Sequence, residues 1–137
     1  LPYIALSYCW GNPQPSHKIE LDGMEYEVGS NLFEYLKQRR ETSDSVMFWI
    51  DALCIDQSRD KESMAERGAQ VPRMTSIYMN AHAIEIWLGP EEKGSAMAMD
   101  ELNLLAKTLR DKTAKHADAI AKLWMRPWWG RLWVVQE

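Results

Sequence analysis

A chain of 137 residues that is 46% hydrophobic and 26% charged has room for one core and the composition of an ordinary folded domain, which excludes a disordered chain and a membrane-embedded one. Its net charge of −4 gives no bulk attraction to phosphate backbones, so nucleic acid is not an expected partner. The apolar run Val46 to Ile50 falls far short of the ~20 residues needed to cross a bilayer, and no membrane span is expected.

Tyr3 to Tyr8 reads as a first strand, broken at Gly11-Asn12-Pro13. Ile19 to Leu21 and Tyr26 to Val28 flank Asp22-Gly23, a hairpin signal. Asn31, with Glu34 three residues on, predicts the cap of a helix whose apolar face is Leu32, Phe33 and Leu36, running to about Arg40. Val46 to Ile50 is apolar on consecutive positions, which predicts a central strand covered on both faces. Ser58 to Gln70 reads as a polar connection. Val71, Met74, Ile77, Tyr78 and Ala81 then recur at helical spacing, and Pro72 requires the helix either to begin near Val71 or to kink there. Ala83 to Leu88 is another strand, closed by Gly89-Pro90. Ala98, Leu102, Leu105 and Leu109 mark an amphipathic helix from about Ser95, followed by a charged helix or connector up to Leu123. Leu132 to Val135 is a β-prone tail. Strands alternating with helices predict an α/β domain, a mostly parallel sheet flanked by helices in three layers.

Ligands of such sheets bind beyond the carboxyl ends of the strands, where loops and helix N-termini converge. The stretch "FWIDALCIDQ" (Phe48 to Gln57) therefore places Asp51, Cys54, Asp56 and Gln57 where a site is expected. Asp51 and Asp56 suit acid/base work or the orientation of a hydroxyl; as carboxylates after a strand they suit capping and solvation equally. Tyr8, Trp10 and Gly11 follow the first strand at the same sheet edge. Glu66 and Arg67 read either as an ion pair closing the site or as a surface pair. Cys54 lacks a protease signature, and with His17, His82 and His116 scattered it reads as a buried structural thiol before a nucleophile. Cys9 and Cys54 are the only cysteines, without paired spacing, so both are expected to stay reduced, in the cytoplasm. No HExxH, CxxC or EF-hand pattern occurs and no metal is predicted; the glycine-rich phosphate cradles are absent too. Trp124, Trp128, Trp129 and Trp133 interleave with Arg126 and Arg131, which fits core completion under a C-terminal strand or stacking on a ligand. The chain opens on Leu1-Pro2 and is expected to be a domain excised from a longer protein.

Four segments in order, "YIALSYCWG" (Tyr3 to Gly11), "FWIDALCIDQ", "ERGAQVPRMTSIYMNA" (Glu66 to Ala81) and "RPWWGRLWVVQE" (Arg126 to Glu137), resemble the HET, or heterokaryon incompatibility, domain of filamentous fungi over the whole of residues 1–137. Pro72 and the length of the Ser58 to Ala65 linker depart mildly from that pattern. The resemblance implies a toxic effector that triggers cell death when incompatible individuals fuse, with self-association for activity. HET domains are distantly similar to TIR domains, which implies a flavodoxin-like architecture and, since some TIR domains cleave NAD, NAD as substrate and no bound cofactor. The TIR order (Ser7-Tyr8, Asp51, a helix, a strand, then "AMDEL") puts Glu101 at the catalytic glutamate position, whereas the HET motifs point to Asp51 and Glu66. All three stay as candidate catalytic carboxylates. Ser7, Tyr8, Trp10, Gly11, Cys54, Gln57, Arg67 and Gln70 are the candidate substrate-binding residues, the two glutamines as hydrogen-bond partners of a ribose or amide. The alternative is a non-enzymatic module whose sheet edge and tryptophans mediate self-association.

Overall fold

The computed structural model describes residues 1–12, 14, 16–40, 45–107 and 117–130. The predicted Leu132 to Val135 strand, Trp133, Arg131, His116 and Leu109 lie outside them. Among the described residues the parallel sheet has three strands in the order β4-β1-β5: β1 (Ile4–Tyr8) in the centre, β4 (Phe48–Trp49) on one side and β5 (Ala83–Trp87) on the other. A separate antiparallel pair, β2 (Ser16–Leu21) and β3 (Met24–Gly29), turns through Asp22 and Gly23, with φ values of 52° and 78°. Asp and Gly tolerate that left-handed turn, which matches the twist of the strands it joins.

Alternate residues of β1 enter two cores because a strand sends successive side chains to opposite faces. Leu6 and Tyr8 pack with Val28, Ile50 and with Leu32 and Tyr35 of α1 (Ser30–Arg40). Ala5 packs against Met74 and Tyr78 of α4 (Met74–Asn80) on the other face, where the Tyr78 hydroxyl donates to the Leu6 carbonyl at 3.0 Å. Helices therefore flank the parallel sheet on both sides, as the α/β pattern predicts.

Several local expectations change. Val46 to Ile50 is not one buried central strand: only Phe48 and Trp49 join the sheet, as its edge, while Val46 and Met47 are exposed. The ladder is short because the chain turns at Ile50 into α2 (Asp51–Cys54), a single turn. The polar stretch before Val71 is helical from Lys61 onward. Asp60 accepts from the Glu62 and Ser63 backbone N–H groups at 3.0 and 2.9 Å, which caps α3 (Lys61–Gln70) and meets two of the donors a helix start leaves orphaned. Glu66, Arg67 and Gln70 are thus helical. At Pro72 the chain tightens into a 3₁₀ turn, Val71–Arg73, before α4, so the kinked alternative holds. Asn31 does not cap α1. It sits inside the first turn and acts as a clamp, donating to the Cys9 carbonyl at 2.6 Å and accepting from Trp87 Nε1 at 2.9 Å.

Two helices complete the described chain, α5 (Ser95–Lys107) and α6 (Ala117–Trp124), followed by a 3₁₀ turn, Pro127–Gly130. Buried Arg126 holds this end against the β5–α5 connection: its guanidinium donates to the Leu88 and Pro90 carbonyls at 3.0 and 3.1 Å and to Ser95 Oγ at 2.9 Å. Trp128 reaches the central strand, its Nε1 donating to Ser7 Oγ at 2.9 Å.

Candidate functional site

The carboxyl end of β1 runs out of the sheet as Cys9-Trp10-Gly11, and a cleft opens on each side of it. The larger, about 500 Å³, lies toward the hairpin and is lined by Tyr8, Gln14, Glu27, Val28 and Ala52, among others. The second, about 390 Å³, lies toward α3 and α4 and is lined by Cys9, Asp51, Arg67, Val71 and Met74, among others. Trp10, Gly11 and Gln57 line both. This is the position that the rule for parallel sheets predicts for a ligand.

Asp51 is the post that holds the divider. It is buried at the first position of α2. One carboxylate oxygen accepts from Trp10 Nε1 at 2.9 Å and the other from the Ala52 backbone N–H at 2.7 Å. The Trp10 ring is held by its polar edge while much of its surface faces solvent. Gly11 follows at φ 69°, with nothing within 4 Å of where a Cβ would sit; backbone conformation rather than space makes glycine the fitting residue there. Gln57 Nε2 donates to the Ile55 carbonyl at 2.8 Å and the Asp51 carbonyl at 3.3 Å, so this amide closes the loop after α2 over the same point.

The second cleft has a helical wall. Arg67, Val71 and Met74 succeed one another at helical spacing across α3, the 3₁₀ turn and α4. The Arg67 guanidinium donates to the Ser58 carbonyl at 2.9 Å, which sets it on the rim. The other carboxylate of the opening motif, Asp56, serves the approach to α3. It accepts from the Ser58 N–H at 2.8 Å, and Ser63 Oγ stands 2.8 Å from Asp56 Oδ2 and 2.7 Å from Asp60 Oδ2. The bond from the Ser58 backbone holds the Asp56 carboxyl below its ordinary value, and the bond from the Ser63 backbone does the same for Asp60.

Of the sequence candidates, Tyr8, Trp10, Gly11, Asp51, Gln57 and Arg67 come together around the two clefts. Ser7, Cys54, Glu66, Gln70 and Glu101 line neither cleft. Ser7 is wholly buried and bonded to Trp128. Cys54, expected as a buried thiol, is instead exposed, because it ends the single turn α2, in which Asp51 is the buried residue; both thiols are free. Glu66 and Gln70 are half-buried on α3, and Glu101 is buried on α5. Glu27 was not singled out by its sequence: it sits in the hairpin, an element that reads as scaffold. Its only local signal is its place beside buried Val28, three residues before α1. Among the described residues no group of three His, Cys, Asp or Glu side chains is placed to hold a metal ion, and no helix is long and apolar enough to cross a membrane.

Comparison with known proteins adds to this geometry. The profile of the family described as heterokaryon incompatibility protein (HET) matches residues 3–137. The chain is 33% identical, over 129 aligned residues, to heterokaryon incompatibility protein 6, OR allele, of Neurospora crassa; the match covers 85% of this chain and 18% of that protein. The chain therefore corresponds to less than one fifth of the length of the curated relative. No solved structure matches.

Proposed function

Because this chain belongs to the heterokaryon incompatibility (HET) family, we propose that it is an effector domain of fungal heterokaryon incompatibility, triggering cell death by hydrolysing NAD in the cytoplasm once copies of its parent protein associate. The observation that carries this reading is the pair of clefts at the carboxyl end of the central parallel strand, divided by an aromatic ring that a buried carboxylate holds in place. A parallel sheet with helices on both faces, and Ser7-Tyr8 at the end of its middle strand, supports likeness to TIR domains at the level of architecture. Fold alone does not carry function, so the weight rests on the clefts.

The chemistry asks little of the protein. The bond between ribose C1′ and the pyridinium nitrogen breaks, and its electron pair returns to the ring, which leaves as neutral nicotinamide. Water adds to C1′ and releases one proton to solvent, giving ADP-ribose. What the site supplies is an aromatic surface for the ring, amides for ribose hydroxyls and a carboxylate against the positive charge that develops at C1′. Trp10 serves the first need, with Tyr8 buried beneath the cleft, and Gln57 serves the second. Asp51 organises the divider, while Glu66 and Glu101 are the further carboxylates to test.

The experiment is nicotinamide release from NAD by the concentrated domain, with Glu66→Ala and Glu101→Ala alongside. Release above background supports hydrolysis, and its loss in a variant that keeps the wild-type circular dichroism assigns that carboxylate. A second reading is a non-enzymatic module that kills by self-association. It is favoured by a solvent-facing patch at the end of the described chain: Trp124 and Trp129, whose ring centroids lie 4.1 Å apart with the planes tilted by 39°, beside Met125, which is 84% exposed. In that case release stays at background and killing persists in both variants.

A further inference from the structure

The two clefts differ in charge. Among the described residues Glu27 is the only charged one lining the larger cleft, which Tyr8, Trp10 and the Gln14 and Gln57 amides also line. On the wall of the second, Arg67 is the cation, and the carboxylate beside it, Asp51, already accepts from Trp10 and Ala52. A carboxylate lining the same cleft as a solvent-facing indole is an arrangement that favours cations, since the ring quadrupole and the negative charge act in the same sense. Lys18 faces Glu27 across the hairpin but gives its ammonium to Glu25 at 2.8 Å. None of the three carboxylates that the sequence offers as catalysts lines this larger cleft.

We propose that Glu27 is the ligand-facing carboxylate of the larger cleft, and that this cleft takes a cationic aromatic ring, with the anionic remainder of the ligand directed past Gly11 toward Arg67. The inference rests on reading the clefts as the substrate site; it adds the seat of the pyridinium ring and a residue outside the HET and TIR motifs. Trp10 presents a fixed face to the ring, because Asp51 holds its Nε1 and prevents the indole from turning. Glu27 is exposed and, among the described residues, pairs in β3 through its backbone, so Glu27→Gln preserves size and fold while removing the charge.

The test compares one ring with and without its charge: the N-methylpyridinium form of nicotinamide against nicotinamide itself, titrated into the wild-type domain and into Glu27→Gln by NMR. Wild type is expected to bind the cation about fivefold more tightly than the neutral ring, the scale of a partly exposed charge pair, with the preference shrinking as salt rises. Glu27→Gln is expected to lose most of that preference and to keep its affinity for the neutral ring. Equal affinities in wild type, no binding of the cation, or a preference that survives Glu27→Gln would each overturn the assignment. A charge preference lost in Glu27→Gln, in a domain that releases no nicotinamide from NAD, leaves this assignment standing and removes hydrolysis. Release from NAD with a preference indifferent to Glu27 does the reverse.

Discussion

If Asp51 holds Trp10 in place, the two residues must be energetically coupled, and a double-mutant cycle of Asp51→Ala, Trp10→Phe and the pair measures by how much. Asp51 is 8% exposed and Trp10 is 44% exposed, so the charge is largely withdrawn from water while the ring is not. The bond between them is 2.9 Å to a carboxylate oxygen, a type that contributes about 1.5–3 kcal/mol when the acceptor is charged. Trp10→Phe keeps an aromatic ring and removes the N–H, taking one donated bond from a buried carboxylate, and is expected to cost about 1.5 kcal/mol. Asp51→Ala loses that bond and the one to the Ala52 N–H at 2.7 Å, and should cost about 2–4 kcal/mol. The double variant should recover about 1–2 kcal/mol relative to the sum of the singles. Urea unfolding followed by far-ultraviolet circular dichroism gives all four stabilities. A coupling near zero would refute the role of Asp51 as the post for the divider and would free it for other chemistry.

Two further outcomes follow from the packing and from the titrating groups. Arg126→Met removes three donated bonds from a buried guanidinium, and should destabilise by about 3–5 kcal/mol, lowering the melting temperature in a calorimetric scan by more than about 8 °C; a change of a degree or two would mean that α6 and the turn after it are not held by this side chain. At the start of α3, Asp56 and Asp60 both have lowered folded-state values, so what they add to stability is present above the unfolded carboxylate value of about 3.9 and is lost as pH falls through the folded values below it. Ser63→Ala removes the hydroxyl that both carboxylates contact and should raise both titration midpoints, read from carboxyl carbon shifts; midpoints that stay in place would show that the backbone donors alone set them.

How much of this was legible from residues alone depends on whether the signal was local. The first strand, the Asp22-Gly23 hairpin, the strand after Ala83 and the helical spacing from Met74 are each written in neighbouring residues, and each stands in the structure. The helix Lys61–Gln70 was hidden because its only buried side chain is Ser63, so no apolar stripe marks it, although Asp60 is an ordinary capping residue. Val46 and Met47 misled for the opposite reason: apolar residues on an edge that nothing among the described residues covers look like core. Asn31 carries a local capping signal, yet its side chain is spent on Cys9 and Trp87, which are 22 and 56 positions away, and no short-range pattern encodes that. The site divides along the same line. Asp51, Trp10 and Gln57 were found because they follow strands, whereas Glu27 reaches the cleft only through the docking of the hairpin.

Hydrolysis of NAD at the clefts around Trp10, in an assembled state, is the proposal that most needs a direct measurement. Nicotinamide release should therefore be followed across a series of protein concentrations at constant NAD, with Trp10→Ala alongside. Specific activity that rises with concentration in the wild type and falls to background in a folded Trp10→Ala is the predicted result. Background release at every concentration, or release that Trp10→Ala leaves untouched, would contradict it.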